Sequence, residues 1–374
     1  MARVFVTRHL PGPALARLEA EHETEVWQDR LPPPRDELLA RTAQAEGLLS
    51  QLTDAVDAEL IESSPHLRAI SNYAVGTDNI DIAAATARGI PVGNTPDVLT
   101  DATADLAFAL LLAAARNLTE AAQAVRDGDW LTFEPAHHLG LSVHGATLGI
   151  VGFGRIGRAV AARARGFEME VLATGSSTAA GLPLESVLER SDFVSLHVPL
   201  TPTTRHLIDA RALARMRPTA ILVNTARGPI VDQAALLTAL REGTIAGAAL
   251  DVTDPEPLTP DDPLLTAPNL LVTPHIGSAT TAARERMTEL AVENLLAGLA
   301  GRPMRHQVNA GVVAGGGAPA GPVGSAGPLG SAGPVGSGGP VGSAGPVGSA
   351  GPVGSAGPVG SGGPVAAGEP DPGA

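Results

Sequence analysis

Hydrophobic positions along this chain follow two periods in turn, one typical of strands and one typical of helices. Residues Arg3 to Thr7 alternate as a strand, and Pro13 to Glu21 follow a helical pattern. Further helical patterns occur in ATADLAFALLLAAAR and QAALLTALREG, and further strand-like runs read EGLLSQ, RAISNY, IPVGN, TLGIVGFG, EVLAT, DFVSLHV, AILVNTA, GAALDV and NLLVTP. Strands that alternate with helices of this length indicate βαβ units, so the pattern predicts an α/β fold with parallel sheets.

The length of this alternation predicts two doubly wound domains. We predict a first domain over residues 1–98, a second over residues 99–281, and a helix within residues 282–310 that returns to the first domain. With 374 residues, of which 44% are hydrophobic, the chain is long enough to bury two cores.

A different composition marks the C-terminal residues 311–374, where glycine occupies every third position from Gly321 to Gly363. This period matches collagen, but proline occurs only at the second position of a triplet and there are no charged pairs. Composition therefore favours a disordered, uncharged low-complexity tail, with a triple helix as the alternative.

Composition also excludes several kinds of chemistry. There is no cysteine, and all 25 basic residues are arginine, which excludes disulfides, thiolate sites and lysine Schiff bases. A net charge of −14 argues against nucleic acid or an anionic membrane as a partner. The polar start and the short apolar run ADLAFALLLAAAR predict neither a signal peptide nor a membrane span, so we expect a cytoplasmic protein, and we predict no metal site.

A glycine-rich turn carries the first candidate site. In TLGIVGFGRIGRAV, Gly152, Gly154 and Gly157 follow an apolar strand and precede a helical pattern. This context favours a dinucleotide site in which the backbone approaches a pyrophosphate at a helix N-terminus, and the alternative is a glycine turn without a ligand.

The end of the next strand bears on the choice of dinucleotide. An acidic residue about 20 positions after the glycines would bind the ribose 2′-hydroxyl of NAD. The residues there are Thr174, Gly175, Ser176 and Ser177, which carry no carboxylate to repel a 2′-phosphate. We therefore predict a preference for NADP(H), with NAD(H) as the alternative, and interpret Glu168 and Glu170 as solvated or capping charges.

Three polar clusters each follow a strand-like run, namely NTARGPIVD, LDVTDPEP and TPHIGSAT. Because the carboxyl ends of parallel strands face one crevice, we expect Arg227, Glu256 and His275 to lie together. Taken singly, the alternatives are a surface ion pair for Arg227, a turn residue for Glu256 and a structural histidine for His275.

The order of these motifs resembles the D-isomer-specific 2-hydroxyacid dehydrogenases, and within them the glyoxylate reductases. Matching segments include NYAVGTDNID, GNTPDVLTDATADLAFALLLAAAR, VGFGRIG, HVPLTPTTRHLI, MRPTAILVNTARGPIVD, GAALDVTDPEP and TPHIGSAT. The likeness covers nearly all of residues 1–310 and none of the tail. It implies a flavodoxin-like substrate domain and a Rossmann cofactor domain.

The resemblance also implies roles for individual residues. Arg227 would bind the substrate carboxylate and carbonyl oxygen, His275 would be the acid/base, and Glu256 would partner His275. The backbone amides of Val75 and Gly76 would hold the carboxylate. The remaining expected site residues are Leu52 as a pocket wall, Asp251 beside the nicotinamide, and a cofactor lining of Thr103, Gly152, Gly154, Arg155, Ile156, Gly157, Gly175, Ser176, Ser177, Val198, Thr225, Ala226 and Gly277.

The resemblance implies a small 2-oxo or 2-hydroxy acid substrate, with glyoxylate first and hydroxypyruvate second. The alternatives are a dehydrogenase for another D-2-hydroxy acid and a dinucleotide-sensing interaction protein that resembles a corepressor. Relatives place an aromatic loop, here with Trp130 and Phe133, across a dimer interface, so we expect a homodimer.

Overall fold

The alternating pattern folds into two parallel sheets with helices on both faces. The computed structural model describes residues 1–175 and 181–313. The predicted tail beyond residue 313, and Ser176 and Ser177 of the predicted cofactor site, lie outside the described residues. No helix in the described part is long and apolar enough to cross a membrane.

The first sheet occupies the N-terminal part of the chain and has the strand order β2-β1-β3-β4-β5. Its direction of winding reverses between β1 and β3, which opens a crevice beyond their carboxyl ends. The elements are β1 (Arg3–Val6), α1 (Leu15–Glu21), β2 (Glu23–Val26), α2 (Arg35–Ala43), β3 (Gly47–Ser50), α3 (Ala58–Glu62), β4 (Ala69–Asn72), α4 (Ile82–Ala87) and β5 (Val92–Gly93).

The sequence pattern missed β2. This edge strand reads ETEV, in which Glu23 and Glu25 are exposed and Thr24 and Val26 are only half-buried. A four-residue edge strand with one apolar side chain has almost no hydrophobic alternation, so its pairing with β1 depends on the neighbouring strand.

The second sheet has the strand order β11-β10-β9-β8-β6-β7, and its winding reverses between β6 and β8. This switch point places the glycine-rich turn after β6 beside the end of β8. The elements are α5 (Thr100–Ala115), α6 (Leu118–Asp127), β6 (Thr147–Val151), α7 (Arg155–Ala164), β7 (Glu170–Thr174), α8 (Leu184–Arg190), β8 (Phe193–Leu196), α9 (Ala210–Arg215), β9 (Ile221–Asn224), α10 (Gln233–Arg241), β10 (Gly247–Leu250) and β11 (Leu270–Val272).

The last helix returns to the first sheet. Helix α11 (Thr281–Leu299) packs on β3 and β4, and its Met287, Leu295 and Leu299 share a core with Val4 and Leu18. In contrast, α5 packs on β9, β10 and α7 of the second sheet. This packing supports the proposed division of the chain near residues 98 and 281.

Candidate active site

A cavity of about 480 Å³ lies between the two sheets, at the carboxyl ends of their strands. It receives side chains or backbone from most of the predicted site residues: Leu52, Val75, Gly76, Thr103, Arg155, Ile156, Val198, Thr225, Ala226, Arg227, Asp251, His275 and Gly277. Gly152 and Gly154 lie in the turn before α7, Gly157 lies in the first turn of α7, and Gly175 follows β7, while Glu256 joins the cavity through His275. Strand ends of two separate sheets therefore converge on one site.

An imidazole–carboxylate pair stands at the second-sheet side of the cavity. Nδ1 of His275 lies 2.5 Å from Oε1 of Glu256, and their side chains are 22% and 31% exposed. Since Nδ1 is engaged by the carboxylate, the opposite ring nitrogen is the one available to a ligand in the cavity. Glu256 thereby sets the orientation of the ring.

A buried carboxylate anchors the loop that carries His275. Asp251 is 1% exposed, and its oxygens accept hydrogen bonds from the amides of Ile276 and Gly277 at 2.8 and 2.7 Å and from the Thr273 hydroxyl at 2.6 Å. The Asp251 carbonyl also accepts from the amide of His275. Its carboxylate is therefore committed to the loop, which makes Asp251 an anchor for His275 as well as a cavity residue.

The guanidinium of Arg227 is held from both sides of the cleft. Its Nε donates to the carboxylate of Asp78 at 3.1 Å, and its Nη1 donates to the Ala226 carbonyl at 2.8 Å. A Cβ on Gly76 would overlap Nη2 of Arg227. The chain thus needs glycine at position 76 for the guanidinium to pack on this loop.

The loop after β4 presents two unpaired amides. The carbonyls of Ala74, Val75 and Gly76 accept hydrogen bonds from Thr95, Asn94 and Asn72 respectively. Within the described residues, the N–H groups of Val75 and Gly76 have no acceptor.

Two such donors beside a guanidinium make an anion-binding corner of the cavity. A carboxylate is one anion that these three groups could hold.

Paired asparagines brace this loop against the loop after β3. Nδ2 of Asn72 donates to the Gly76 carbonyl and to Oδ1 of Asn79, both at 3.0 Å. Nδ2 of Asn79 donates in turn to the carbonyls of Gln51 and Asp54, at 2.9 and 3.0 Å. The network fixes the anion-binding loop relative to the loop that carries Leu52.

The glycine-rich turn fits a dinucleotide. A Cβ on Gly152 would lie 2.7 Å from the His197 carbonyl group, and one on Gly157 would overlap the Gly152 carbonyl, whereas Gly154 faces open space. Helix α7 begins at Arg155, and the preceding Gly154 has no side chain to cap it, so its first amides are available to a phosphate. Thr225 contributes a buried hydroxyl that has no hydrogen-bond partner among residues 1–175 and 181–313.

The end of β7 lies against this turn. The amide of Gly152 donates to the Thr174 hydroxyl at 3.2 Å, and Gly175 adopts a φ of +124°, a conformation that favours glycine. The carboxylates of Glu168 and Glu170, which we predicted to be surface charges, lie beside His144 and Arg190 respectively.

A further histidine lies at the end of β8. His197 lines the cavity, and one ring nitrogen, Nε2, lies 2.9 Å from the Ser195 hydroxyl. Burial lowers the pKa of His197 to about 4. The ring is therefore neutral near pH 7.

Comparison with known proteins agrees with this architecture. Residues 108–277 match the family model described as "D-isomer specific 2-hydroxyacid dehydrogenase, NAD binding domain". A glyoxylate reductase of Korarchaeum cryptofilum is 51% identical over 321 residues, which cover 83% of this chain and 97% of that relative. The chain belongs to the D-isomer-specific 2-hydroxyacid dehydrogenase family.

Solved structures extend the likeness to three dimensions. A protein from Thermus thermophilus is 51% identical to this dehydrogenase with a TM-score of 0.78, over 82% of this chain and all of the other. An NADPH-dependent glyoxylate/hydroxypyruvate reductase of Sinorhizobium meliloti, solved with NADP and malonate, is 34% identical with a TM-score of 0.73, over 84% and 98%. The second-sheet lobe of this dehydrogenase is thus a nicotinamide-dinucleotide-binding domain.

Several residues around the site were not predicted from the sequence, among them Asp78, Asn79 and Arg284. Asp78 and Asn79 stand in the NYAVGTDNID segment, only two and three positions after Gly76, so an acid and an amide beside an anion-binding glycine were signals available in the sequence. Arg284 lines the cavity from α11, and no local motif indicates this because the helix returns from the far end of the chain.

Proposed function

We propose that this dehydrogenase reduces a small 2-oxo acid to the 2-hydroxy acid, with glyoxylate, which gives glycolate, as the first candidate and hydroxypyruvate, which gives D-glycerate, as the second. The observation that carries the proposal is the shared cavity of Arg227 and the His275–Glu256 pair, beside two unpaired amides. The glyoxylate reductases among the relatives support the same substrate class.

Each group in the cavity has one task in this reaction. The Arg227 guanidinium and the Val75 and Gly76 amides bind and orient the substrate carboxylate. His275 donates a proton to the carbonyl oxygen from the ring nitrogen opposite Glu256, and Glu256 stabilises the protonated ring. When bound, the reduced nicotinamide supplies the hydride to the carbonyl carbon.

For the cofactor, we propose a preference for NADPH over NADH. The strand end at Thr174 and Gly175 carries no carboxylate that would repel a 2′-phosphate. Ser176 and Ser177, the proposed phosphate ligands, lie outside the described residues. A relative of known structure is NADPH-dependent, which supports the proposal.

The test is a spectrophotometric assay with glyoxylate, hydroxypyruvate and pyruvate, each with NADPH and NADH. We expect the highest kcat/KM with glyoxylate and NADPH. A higher kcat/KM with NADH would overturn only the cofactor preference. Absence of turnover with every 2-oxo acid and both cofactors would overturn the reductase proposal and favour the sensor alternative.

Replacement of His275 tests the assignment of the proton donor. His275→Ala should lower kcat by about 10²-fold or more, the usual contribution of a general acid. Glu256→Gln should lower kcat less, because the ring keeps a hydrogen-bond partner. A kcat of His275→Ala close to that of the unmodified enzyme would remove His275 from the mechanism.

We further propose that the enzyme is a homodimer through the segment that begins with α6. This helix has no buried residue in the described chain, and the following loop exposes Trp130 (72%), Leu131 (85%), Phe133 (85%) and Leu139 (70%). Apolar side chains in this number on one segment are typical of an interface. Light scattering should give twice the chain mass, and Leu131→Asp with Phe133→Asp should give the monomer.

A further inference from the structure

A second arginine faces the cavity from the opposite side to Arg227. Arg284 lies in the first turn of α11, its side chain is half-buried, and it lines the cavity together with Met287. Among the described residues, no carboxylate lies within ion-pair distance of its guanidinium. Since no carboxylate neutralises it, the guanidinium keeps donors that a ligand in the cavity can use.

The other charges at the cavity are already paired. Asp78 binds Arg227, Asp97 binds Arg155 at 2.6 Å, and Glu256 binds His275. The carboxylate of Asp251 is occupied by the loop amides. The charge of Arg284 is consequently not neutralised by the acidic groups that surround it.

The buried ring of Tyr73 locates Arg284 at the substrate end of the cavity. The Arg284 guanidinium carbon lies 6.0 Å from the centre of the Tyr73 ring, and the Tyr73 hydroxyl donates to the Arg284 carbonyl at 2.9 Å. Tyr73 is 2% exposed and immediately precedes the anion-binding loop that ends at Gly76. Arg284 is therefore held beside the residue that leads into the loop of Val75 and Gly76.

We propose that Arg284 binds a hydrogen-bond-accepting oxygen on the substrate carbon beyond the carbonyl, either a hydroxyl or a second carboxylate. The inference rests on the proposed function, since Arg227 and the loop amides already account for the first carboxylate. Glyoxylate has no such carbon, so Arg284 has no oxygen there to which it can donate a hydrogen bond. Arg284 instead selects among longer 2-oxo acids and favours hydroxypyruvate over pyruvate.

The physical reason is an asymmetry in what a polar site accepts. A guanidinium that lines a cavity loses part of its hydration when a substrate enters. An oxygen substituent replaces the lost water, whereas the methyl group of pyruvate leaves the donors unpaired. Sites built to hydrogen-bond a substrate oxygen discriminate strongly against analogues that lack it.

The experiment compares kcat/KM for glyoxylate, pyruvate, hydroxypyruvate and oxaloacetate in the unmodified enzyme, Arg284→Gln and Arg284→Lys. Arg286→Gln is the matched control, because Arg286 stands on the same helix, pairs with Glu289 and does not line the cavity. In Arg284→Gln the ratio of kcat/KM for hydroxypyruvate to kcat/KM for pyruvate should fall by about tenfold or more. The kcat/KM for glyoxylate should change by less than about threefold. Arg284→Lys should restore part of the ratio, and Arg286→Gln should leave it unchanged.

Hydroxypyruvate and oxaloacetate show whether Arg284 binds a hydroxyl or a carboxylate. A larger loss of kcat/KM with hydroxypyruvate in Arg284→Gln indicates a hydroxyl ligand, and a larger loss with oxaloacetate indicates a carboxylate ligand. An equal loss on all four substrates, glyoxylate included, would overturn the proposal, because Arg284 would then act on the shared carboxylate or on the fold. An unchanged ratio in Arg284→Gln would also overturn it.

A binding measurement distinguishes failure of this inference from failure of the proposed function. Calorimetry with tartronate, which has a second carboxylate, and with glycolate, which does not, requires no turnover. A weaker affinity of Arg284→Gln for tartronate but not for glycolate supports the subsite even if no 2-oxo acid is reduced. Equal affinities of Arg284→Gln and the unmodified enzyme for tartronate, in an enzyme that reduces glyoxylate, overturn the subsite and leave the reductase proposal standing.

Discussion

Nε of Arg227 donates to both carboxylate oxygens of Asp78, at 3.1 and 3.2 Å, across the cleft between the two sheets. Arg227 follows β9 of the second sheet, and Asp78 follows β4 of the first. The group proposed to bind the substrate carboxylate is therefore oriented by the opposite side of the cleft. Since Asp78 engages Nε, the Nη2 edge is left to face the Gly76 loop.

Removal of this orienting charge should weaken catalysis without unfolding the protein. We expect Asp78→Asn to lower kcat/KM for glyoxylate by about tenfold, equivalent to about 1.4 kcal/mol of transition-state stabilisation. The matched control is Glu189→Gln, which removes an exposed ion pair with Arg215 far from the cavity and should leave kinetics unchanged. A value of kcat/KM in Asp78→Asn equal to that of the control would contradict the orienting role.

A methyl group at position 76 should displace the Arg227 guanidinium. Gly76→Ala places a Cβ on top of Nη2, so we expect kcat/KM to fall on the order of 10²-fold while the melting temperature changes little. The control is Gly166→Ala, because a Cβ there meets nothing within 4 Å. Steady-state kinetics of both variants provide the test, and normal turnover in Gly76→Ala would show that the guanidinium can move aside.

The asparagine network should matter for both stability and substrate affinity. Asn79→Ala leaves the Gln51 and Asp54 carbonyls without their side-chain donor, which we expect to cost about 1–3 kcal/mol in the free energy of unfolding and to raise KM. Gln28→Ala removes an exposed amide that donates to the Val26 carbonyl at 2.9 Å, and it should cost less than about 0.5 kcal/mol. Denaturant unfolding and KM measurements would refute the bracing role if the two variants behaved alike.

The neutral imidazole of His197 should make the protein sensitive to mild acid. Its pKa of about 4 in the folded protein lies below the value near 6.5 of an unfolded chain, so the unfolded chain binds more protons between these limits. The free energy of unfolding should thus fall as pH drops from about 6.5 to about 4, by at most about 3 kcal/mol because the residue keeps some exposure.

Comparison with His197→Gln isolates this contribution. The variant retains a partner for the Ser195 hydroxyl but does not titrate in this range. Urea unfolding at several pH values should show a shallower loss of stability for His197→Gln than for the unmodified protein. Parallel curves would mean that His197 is protonated in the folded state as readily as in the unfolded one.

The sequence by itself was sufficient for the fold class and for many of the residues that line the cavity. Apolar strand-like runs followed by polar clusters determine which residues reach the crevice, because parallel strands all end at the same edge of a sheet. For this reason the sequence places Arg227, Asp251 and His275 around one cavity. The spacing of Gly152, Gly154 and Gly157 is likewise local and visible in the sequence.

Only the tertiary structure decided which of these groups touch. The edge strand β2 forms because the backbone of β1 pairs with it through hydrogen bonds. Its own residues, ETEV, have too little hydrophobic alternation to predict a strand. Asp78 meets Arg227 only when the two sheets pack around the cleft, and Arg284 reaches the cavity only because α11 folds back on the first sheet. Such contacts depend on the packing of elements that are distant in the chain. A local hydrophobic period predicts single helices and strands but not how they pack on each other.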